Sequence, residues 1–224
     1  MKIMNHVFLV PGVVDNPYIL VDDDGLTVID TGLPHSQEKI LAYVASLGKL
    51  ASDVKCILLT HLDLDHVGSL AALHKLTGAR TFASRIEAEA IAAGNPSRQI
   101  QSSGFARMRL AVSPLRSCMK ATPSQVDEIL TDSQILPALG GLRVVETSGH
   151  TPGHISLFAS EVGVLFCGNS LVTDKNGMIA SPRGLTWDKA RAREAKRKQA
   201  ALGAHIVCSG HGPVMQDATG KFPL

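Results

Sequence analysis

The chain is 224 residues long, 45% hydrophobic and 19% charged, which is enough apolar material for one substantial core and too little charge to keep it unfolded. Its 22 basic and 20 acidic side chains leave a formal charge of +2, which by itself implies neither a nucleic-acid nor a membrane partner. No stretch approaches the ~20 apolar residues of a membrane span, and the apolar start is broken at Pro11 with no small-residue cleavage site, so it reads as a first strand and not a secretion signal. One cytoplasmic domain is the expectation. Cys56, Cys118, Cys167 and Cys208 show no Cys-x-x-Cys spacing and are read as buried, reduced thiols.

Residues 7–10, 18–22 and 26–30 read as strands, the last two joined by the acidic turn Asp22-Asp23-Asp24-Gly25. The third ends in Asp30-Thr31-Gly32. Pro34 to Gly48 predicts an amphipathic helix, with Ile40, Leu41, Val44 and Leu47 at helical spacing and Gly48 as its stop. Cys56-Ile57-Leu58-Leu59 is a short buried strand that leads into Thr60-His61-Leu62-Asp63-Leu64-Asp65-His66-Val67-Gly68. A core does not need two imidazoles and two carboxylates within six residues. In a turn after a strand, alternate side chains converge on one centre, and imidazole nitrogen with carboxylate oxygen suits zinc, manganese or iron. Leu62 and Leu64 are then expected to pack downward while His61, Asp63, Asp65 and His66 point toward solvent. A turn whose aspartate caps the next helix would explain one of these residues and leave the others without a reason.

A helix from Val67 to Leu76, stopped by Gly78, follows, with His74 as a packing or surface histidine. Residues 80–83 predict a strand and Arg85 to Ala93 a short helix. The segment 94–132 is broken by Pro96, Pro114 and Pro123 and mixes polar residues with Phe105, Met108, Leu110, Leu115 and Met119, which predicts a lid carrying substrate selectivity. Strand patterning returns at 142–146, 155–159 and 163–167. Ser148-Gly149-His150-Thr151-Pro152-Gly153-His154 lies between the first two of these strands, and Phe166-Cys167-Gly168-Asn169 ends the third. Thr186 is placed to cap a helix from Trp187 to Leu202, whose Lys189, Arg191, Arg193, Lys196, Arg197 and Lys198 read as a solvated face. Ile206-Val207-Cys208 is the last core strand, followed by Ser209-Gly210-His211-Gly212-Pro213.

Taken in this order, Asp30-Thr31-Gly32, the His61–His66 cluster, the His150 loop, Gly168-Asn169 and the His211 loop resemble the successive motifs of the metallo-β-lactamase superfamily. The resemblance covers nearly the whole chain and implies an αββα sandwich, two mixed sheets flanked by helices. It implies that Asp30 supports the metal loop from behind, that a first metal takes His61, Asp63 and His150, and that a second takes Asp65, His66 and His211. His154 is structural in this comparison. The sequence departs from the family at two places: Asp63 stands where a second histidine is usual, and Asn169 where an aspartate usually bridges the metals. One carboxylate is gained and one lost, so the number of anionic groups is unchanged, and the pair reads as a compensated site. Asn169 is a weaker bridge, consistent with one or two metals, and the oxygen-richer first site strengthens manganese and iron as alternatives to Zn2+.

The activity the resemblance implies is hydrolysis by a metal-bound hydroxide, with Asp65 both ligand and orienter of that nucleophile. The small-molecule substrate expected is an ester, lactone or thioester, because the chain ends soon after His211 and so resembles the compact lactonase, esterase and thioesterase branches. Two alternatives stand beside it: phosphodiester hydrolysis, motivated by the basic helix, and a binding or regulatory module on a degenerate metal site. The sequence names no substrate-binding residue and no oligomeric state.

Overall fold

The alternation of apolar side chains along the central strands decides the layering. In Tyr18–Asp22 (β3), Tyr18 and Leu20 face one side and Ile19 the other; in Val164–Gly168 (β11), Val164 and Phe166 oppose Leu165 and Cys167. Each strand is therefore apolar on both faces and must be covered on both. The computed structural model, which describes residues 1–95, 121–174, 177, 179–180 and 186–222, shows how that is done.

A seven-stranded sheet takes, in spatial order, Lys2–Met4 (β1), Val7–Leu9 (β2), β3, Gly25–Ile29 (β4), Val54–Leu58 (β5), Arg80–Ser84 (β6) and Glu128–Leu130 (β7). Its first half is antiparallel; β4 to β7 run parallel, with Gln37–Ser46 (α1), Leu70–Thr77 (α3) and Arg85–Ala93 (α4) in the connections. The second sheet has five strands: Ile135–Leu136 (β8), Leu142–Glu146 (β9), Ile155–Ala159 (β10), β11 and, after the small β12 (Val172–Thr173) and β13 (Ile179–Ala180) pair, Ile206–Ser209 (β14). Its spatial order is β14-β11-β10-β9-β8, and β14 pairs with β11 in parallel.

The central core lies between the sheets, where Tyr18, Leu20, Ile29, Leu58 and Phe82 meet Leu142, Val144, Leu157 and Phe166. Tyr18 and Phe166 pack edge to face at 5.3 Å between ring centroids. On the outer face of the first sheet, Ile40 and Val44 of α1, Leu70 and Leu73 of α3 and Ile91 of α4 cover Ile19, Val28 and Ile57. On the outer face of the second, Ala204, Met215, Ala218 and Phe222 cover Leu165, Cys167 and Val207, beside Lys189–Ala200 (α5). The result is the four-layer αββα sandwich. Among the described residues, no helix is long and apolar enough to cross a membrane.

Four local expectations are revised. The helix expected from Val67 to Leu76 is two helices, Leu64–Val67 (α2) and α3. The chain bends at Gly68-Ser69, where the Ser69 hydroxyl donates to Leu33 O at 2.6 Å and accepts the Ser36 N–H at 2.8 Å. A Cβ on Gly68 would meet Pro34 Cδ at 2.4 Å, so this close approach requires glycine. Asp188, not Thr186, caps α5: its carboxylate accepts the N–H groups of Ala190 and Arg191 at 2.8 and 3.0 Å. Of the expected lid, residues 96–120 and with them Phe105, Met108, Leu110, Leu115, Met119 and Cys118 lie outside the described residues. The end of that segment is not a cover, since β7 hydrogen-bonds to β6 as the sheet's edge strand. Of the other cysteines, Cys167 and Cys208 are buried free thiols and Cys56 is half-buried.

Candidate metal centre

All five motif segments leave the carboxyl ends of their strands at one edge of the sandwich, the edge at which parallel sheets present ligands. Asp30 follows β4, the Thr60–His66 segment follows β5, His150 follows β9, Asn169 follows β11 and His211 follows β14.

The turn after β5 is built around Asp30, which sits at a left-handed φ of 58°. Its Oδ1 accepts the Thr60 N–H at 2.9 Å; its Oδ2 accepts the Thr60 hydroxyl and faces His66 Nδ1, both at 2.8 Å. Because Thr60 Oγ1 gives its proton to Asp30, it accepts from His61 Nδ1 at 2.9 Å, and the Nδ1–H tautomer leaves the His61 Nε2 lone pair facing the centre. Thr31 binds the carbonyl of His66 through both its N–H and its hydroxyl, at 2.7 and 2.9 Å. Asp30 therefore lies behind this loop, bonded to Thr60 and to the ring of His66.

These contacts bring the sequence-selected residues into two clusters. His61, Asp63 and His150 form one, Asp65, His66 and His211 the other, and within each the ligand-type atoms all lie within 4.8 Å of one another. Asp63 Oδ2 is 3.0 Å from His150 Nε2 and 3.4 Å from His61 Nε2; Asp65 Oδ2 is 3.1 Å from His211 Nε2 and 3.9 Å from His66 Nε2. The His61 and His66 rings stand 4.1 Å apart, so the clusters adjoin. Contrary to the expectation that all four face solvent, His61 and His66 are fully buried, and the open side is lined by Asp63, Asp65 and His211 at 19%, 30% and 32% side-chain exposure. Leu62 and Leu64 pack into the core behind them, as their alternation with the polar residues implies.

The remaining residues divide between this centre and its frame. Asn169 Oδ1 is buried next to His66: a Cβ on Gly210 would come within 2.5 Å of Asn169 Oδ1 and 2.7 Å of His66 Cε1. His154 is fully buried but turned away from a ligand's task, since its Nε2 accepts the Asn169 N–H at 3.1 Å and its Nδ1 bonds Thr147 Oγ1 at 2.9 Å. His74 bonds the Ala79 carbonyl through Nδ1 at 2.9 Å, far along α3.

Burial pushes His61 down to about 4, so it is neutral at physiological pH. Burial also opposes charge on His66, but the carboxylates of Asp30, Asp15 and Asp65 outweigh it and raise the ring to about 10. Burial works against ionised Asp65 too, yet its bond to His211 and the charges of His66 and His211 hold it at about 2. Asp15, whose Oδ2 lies 4.0 Å from His66 Nδ1, is raised by burial to about 8.

Three frame residues carried no sequence signal that distinguished them. Asp15 is an ordinary loop aspartate until the fold buries it beside His66. Asn16 donates through Nδ2 to the carbonyls of Ser209 and Gly212, at 3.0 and 2.7 Å, and so holds the His211 loop from both sides. Glu87 is fully buried and accepts the N–H groups of Leu62 and Gly153, each at 2.9 Å. The pattern Ser84-x-x-Glu87 would have been read as a capping box, a reading that predicts no contact with another loop.

A divalent cation fits this donor set. His61 Nε2, His66 Nε2 and Asn169 Oδ1 are buried without a hydrogen-bond partner among the described residues, a cost of roughly 1–3 kcal/mol for each unmet group. All three border the two clusters, and imidazole nitrogens with carboxylate oxygens are the ligands of zinc, manganese and iron.

Comparison with known proteins agrees with the geometry. Probable metallo-hydrolase YflN of Bacillus subtilis is 27% identical over 208 residues, 87% of this chain and 76% of that protein. A hydroxyacylglutathione hydrolase of Albidiferax ferrireducens is 29% identical over 174 residues, 75% of this chain and 52% of that enzyme. The solved structure of metallo-beta-lactamase family protein TTHA1429 from Thermus thermophilus shares the fold, with a TM-score of 0.77 at 24% identity over 98% of this chain and 78% of that one. The model of the Metallo-beta-lactamase superfamily matches residues 10–211, a span that holds both clusters and the whole of both principal sheets' central strands, and the chain belongs to that superfamily.

Proposed function

We propose that this superfamily member is a metal-dependent hydrolase of a small ester, lactone or thioester, with zinc the first choice of metal and manganese or iron the alternatives. The observation that carries the reading is the pair of adjoining three-residue clusters, in which His61 Nε2 and His66 Nε2 are buried without a hydrogen bond among the described residues. His61, Asp63 and His150 would hold one cation, Asp65, His66 and His211 a second, with Asn169 Oδ1 at their side. A divalent cation held there supplies Lewis acidity and brings the pKa of water from 15.7 down to about 7.

The chain's own groups do the rest. Asp65 is ionised throughout the physiological range and, at the open side, can accept a proton from water and aim its lone pair at a carbonyl carbon. Asp30 and Thr60 fix which imidazole nitrogen faces the centre, so no reorientation is needed as charge develops. The similarity to a hydroxyacylglutathione hydrolase supports a thioester within the acyl class. A second reading, phosphodiester hydrolysis, draws on α5, whose exposed cations begin where the N–H groups of Trp187 and Asp188 bond the carbonyls of His150 and Gly149 at 3.1 and 2.9 Å.

The test is metal content by plasma mass spectrometry on protein purified without added metal or chelator, followed by ester, lactone and thioester screens. Activity is expected to track bound metal and to be lost in Asp63→Ala and His150→Ala; wild-type rates in both variants would refute the mechanism. A rate that falls steeply with added salt would move the assignment to an anionic phosphodiester, since a neutral acyl substrate has little salt dependence. Protein that takes up no zinc, manganese or iron would instead be a binding module.

A further inference from the structure

We infer that Glu87 is a positioning residue that holds the first metal cluster together by tying its two supplying loops to one carboxylate. This rests on the reading that His61, Asp63 and His150 bind a metal, and extends it to a residue with no ligand role. Glu87 stands in the first turn of α4, on a helix that contributes no side chain to either cluster. Its Oε2 accepts the N–H of Leu62, between His61 and Asp63; its Oε1 accepts the N–H of Gly153, three residues after His150. The first loop belongs to the seven-stranded sheet and the second to the five-stranded one, so one side chain bridges both sheets immediately behind the three ligands.

The surroundings leave that carboxylate little freedom. Ser84, the N-cap of α4, donates its hydroxyl to the Gly153 carbonyl at 2.6 Å, so both polar atoms of the Gly153 peptide face the start of α4. A Cβ at Gly153 would meet Ser84 Oγ at 2.7 Å and Glu87 Cγ at 3.0 Å, which leaves room only for glycine against this turn. The second cluster has a different frame: Asp30 behind His66, and Asn16 with Tyr18 behind the His211 loop, Tyr18 donating its hydroxyl to Ser209 O at 2.7 Å. Loss of Glu87 should therefore fall on one cluster and spare the other. Glu87→Gln keeps the shape but replaces one acceptor oxygen with an N–H2 group that faces a donor, releasing one loop. Partners that orient ligands typically contribute 10–100-fold to metal affinity.

The experiment uses the full chain in two backgrounds. His211→Ala leaves the first cluster complete, and His150→Ala leaves the second. Zinc affinity is measured for each, with and without Glu87→Gln, by competition with a chromophoric chelator. The expected result is a loss of about 10–100-fold in the His211→Ala background and less than about twofold in the His150→Ala background. Equal losses in both would make Glu87 a general structural residue, and no loss in either would remove its role; each overturns the inference. Failure of both backgrounds to bind zinc would overturn the metal reading and this inference with it. A measurement on the unaltered protein guards against a variant that does not fold: with metal removed, the amides of Leu62 and Gly153 are expected to exchange slowly and at matching rates. Fast exchange at either would show that the clamp does not exist without the ion, and the inference would fail while the metal reading stood.

Discussion

Asp30 carries a backbone conformation that non-glycine residues seldom adopt, at a cost of about 1–3 kcal/mol, and keeps it because its carboxylate is bound by Thr60 twice and by His66. Asparagine tolerates the same φ but has one acceptor oxygen. Asp30→Asn is therefore expected to leave the fold intact while lowering zinc affinity of the second cluster about 10–100-fold, read by chelator competition; unchanged affinity would show that the ring of His66 needs no such support. The buried imidazoles also make a statement about acid. His61 is lowered to about 4 and His154 well below its ordinary value, both chiefly by burial, so in the unfolded chain they take up protons below about pH 6.5 that the folded, metal-free chain refuses. Their contribution to stability is whole above pH 6.5 and is lost as pH falls toward 4. Asp15, raised to about 8 by burial, has the opposite sign in this window, because it is protonated when folded and ionised when unfolded. Two histidines against one carboxylate leave a net fall of up to about 1.4 kcal/mol per pH unit. Urea midpoints of metal-free protein measured from pH 7 to 4 check this, and a flat profile would contradict the burial of neutral rings.

The elements of this fold were legible where periodicity is strong and obscure where a partner decides. Strands at 18–22, 142–146 and 155–159 coincide with β3, β9 and β10, because β-branched, aromatic and aliphatic residues dominate each and most of them are buried, although Arg143 and Glu146 interrupt β9 and Ser156 interrupts β10. The edge strands β1, β7 and β8 have little apolar pattern of their own and exist through pairing with β2, β6 and β9. The clustered residues were legible because ligand types recur at tight spacing in His61–His66; Asp15, Asn16 and Glu87 were not, because their roles lie in bonds to backbone or rings far along the chain. Loop approach shows the same dependence. Gly210 precedes His211 where a Cβ would strike both Asn169 Oδ1 and the His66 ring, at 2.5 and 2.7 Å. Its own backbone is not in the left-handed region, so alanine strains contacts and not φ. Gly210→Ala is expected to destabilise the protein by about 1–3 kcal/mol and to reduce bound metal from the second cluster first. Metal content per chain tests this, and an unaltered content would mean that the β11 and β14 loops can separate without disturbing the centre.

Both clusters span the sandwich. Asp63 and His61 come from the seven-stranded sheet and His150 from the other; Asp65 and His66 face His211 across the same divide. At this end the sheets are joined directly by the Ile155 N–H to Thr60 O bond at 3.1 Å, and the Asn16 N–H to Gly210 O bond at 2.9 Å ties the loop before β3 to the His211 loop after β14. Away from it the described residues meet mainly through apolar contact, with the Leu139 N–H donating to Asp22 Oδ1 at 3.0 Å. A bound cation should therefore act as a cross-link between the two halves, and not only as a local ligand. At a free zinc concentration 1,000 times the dissociation constant, one site adds about 4 kcal/mol to stability, which for a chain of this size corresponds to an increase in Tm of about 10 °C. The increase should be accompanied by slower hydrogen exchange at Asn16 and Ile155, the amides that join the halves, with little change at the core amides of Ile19 and Val28. Differential scanning calorimetry and exchange, with and without a chelator, test the two parts together. An equal rise in Tm in a variant carrying both His150→Ala and His211→Ala would place the zinc elsewhere, because each substitution removes the arm by which one cluster reaches the second sheet.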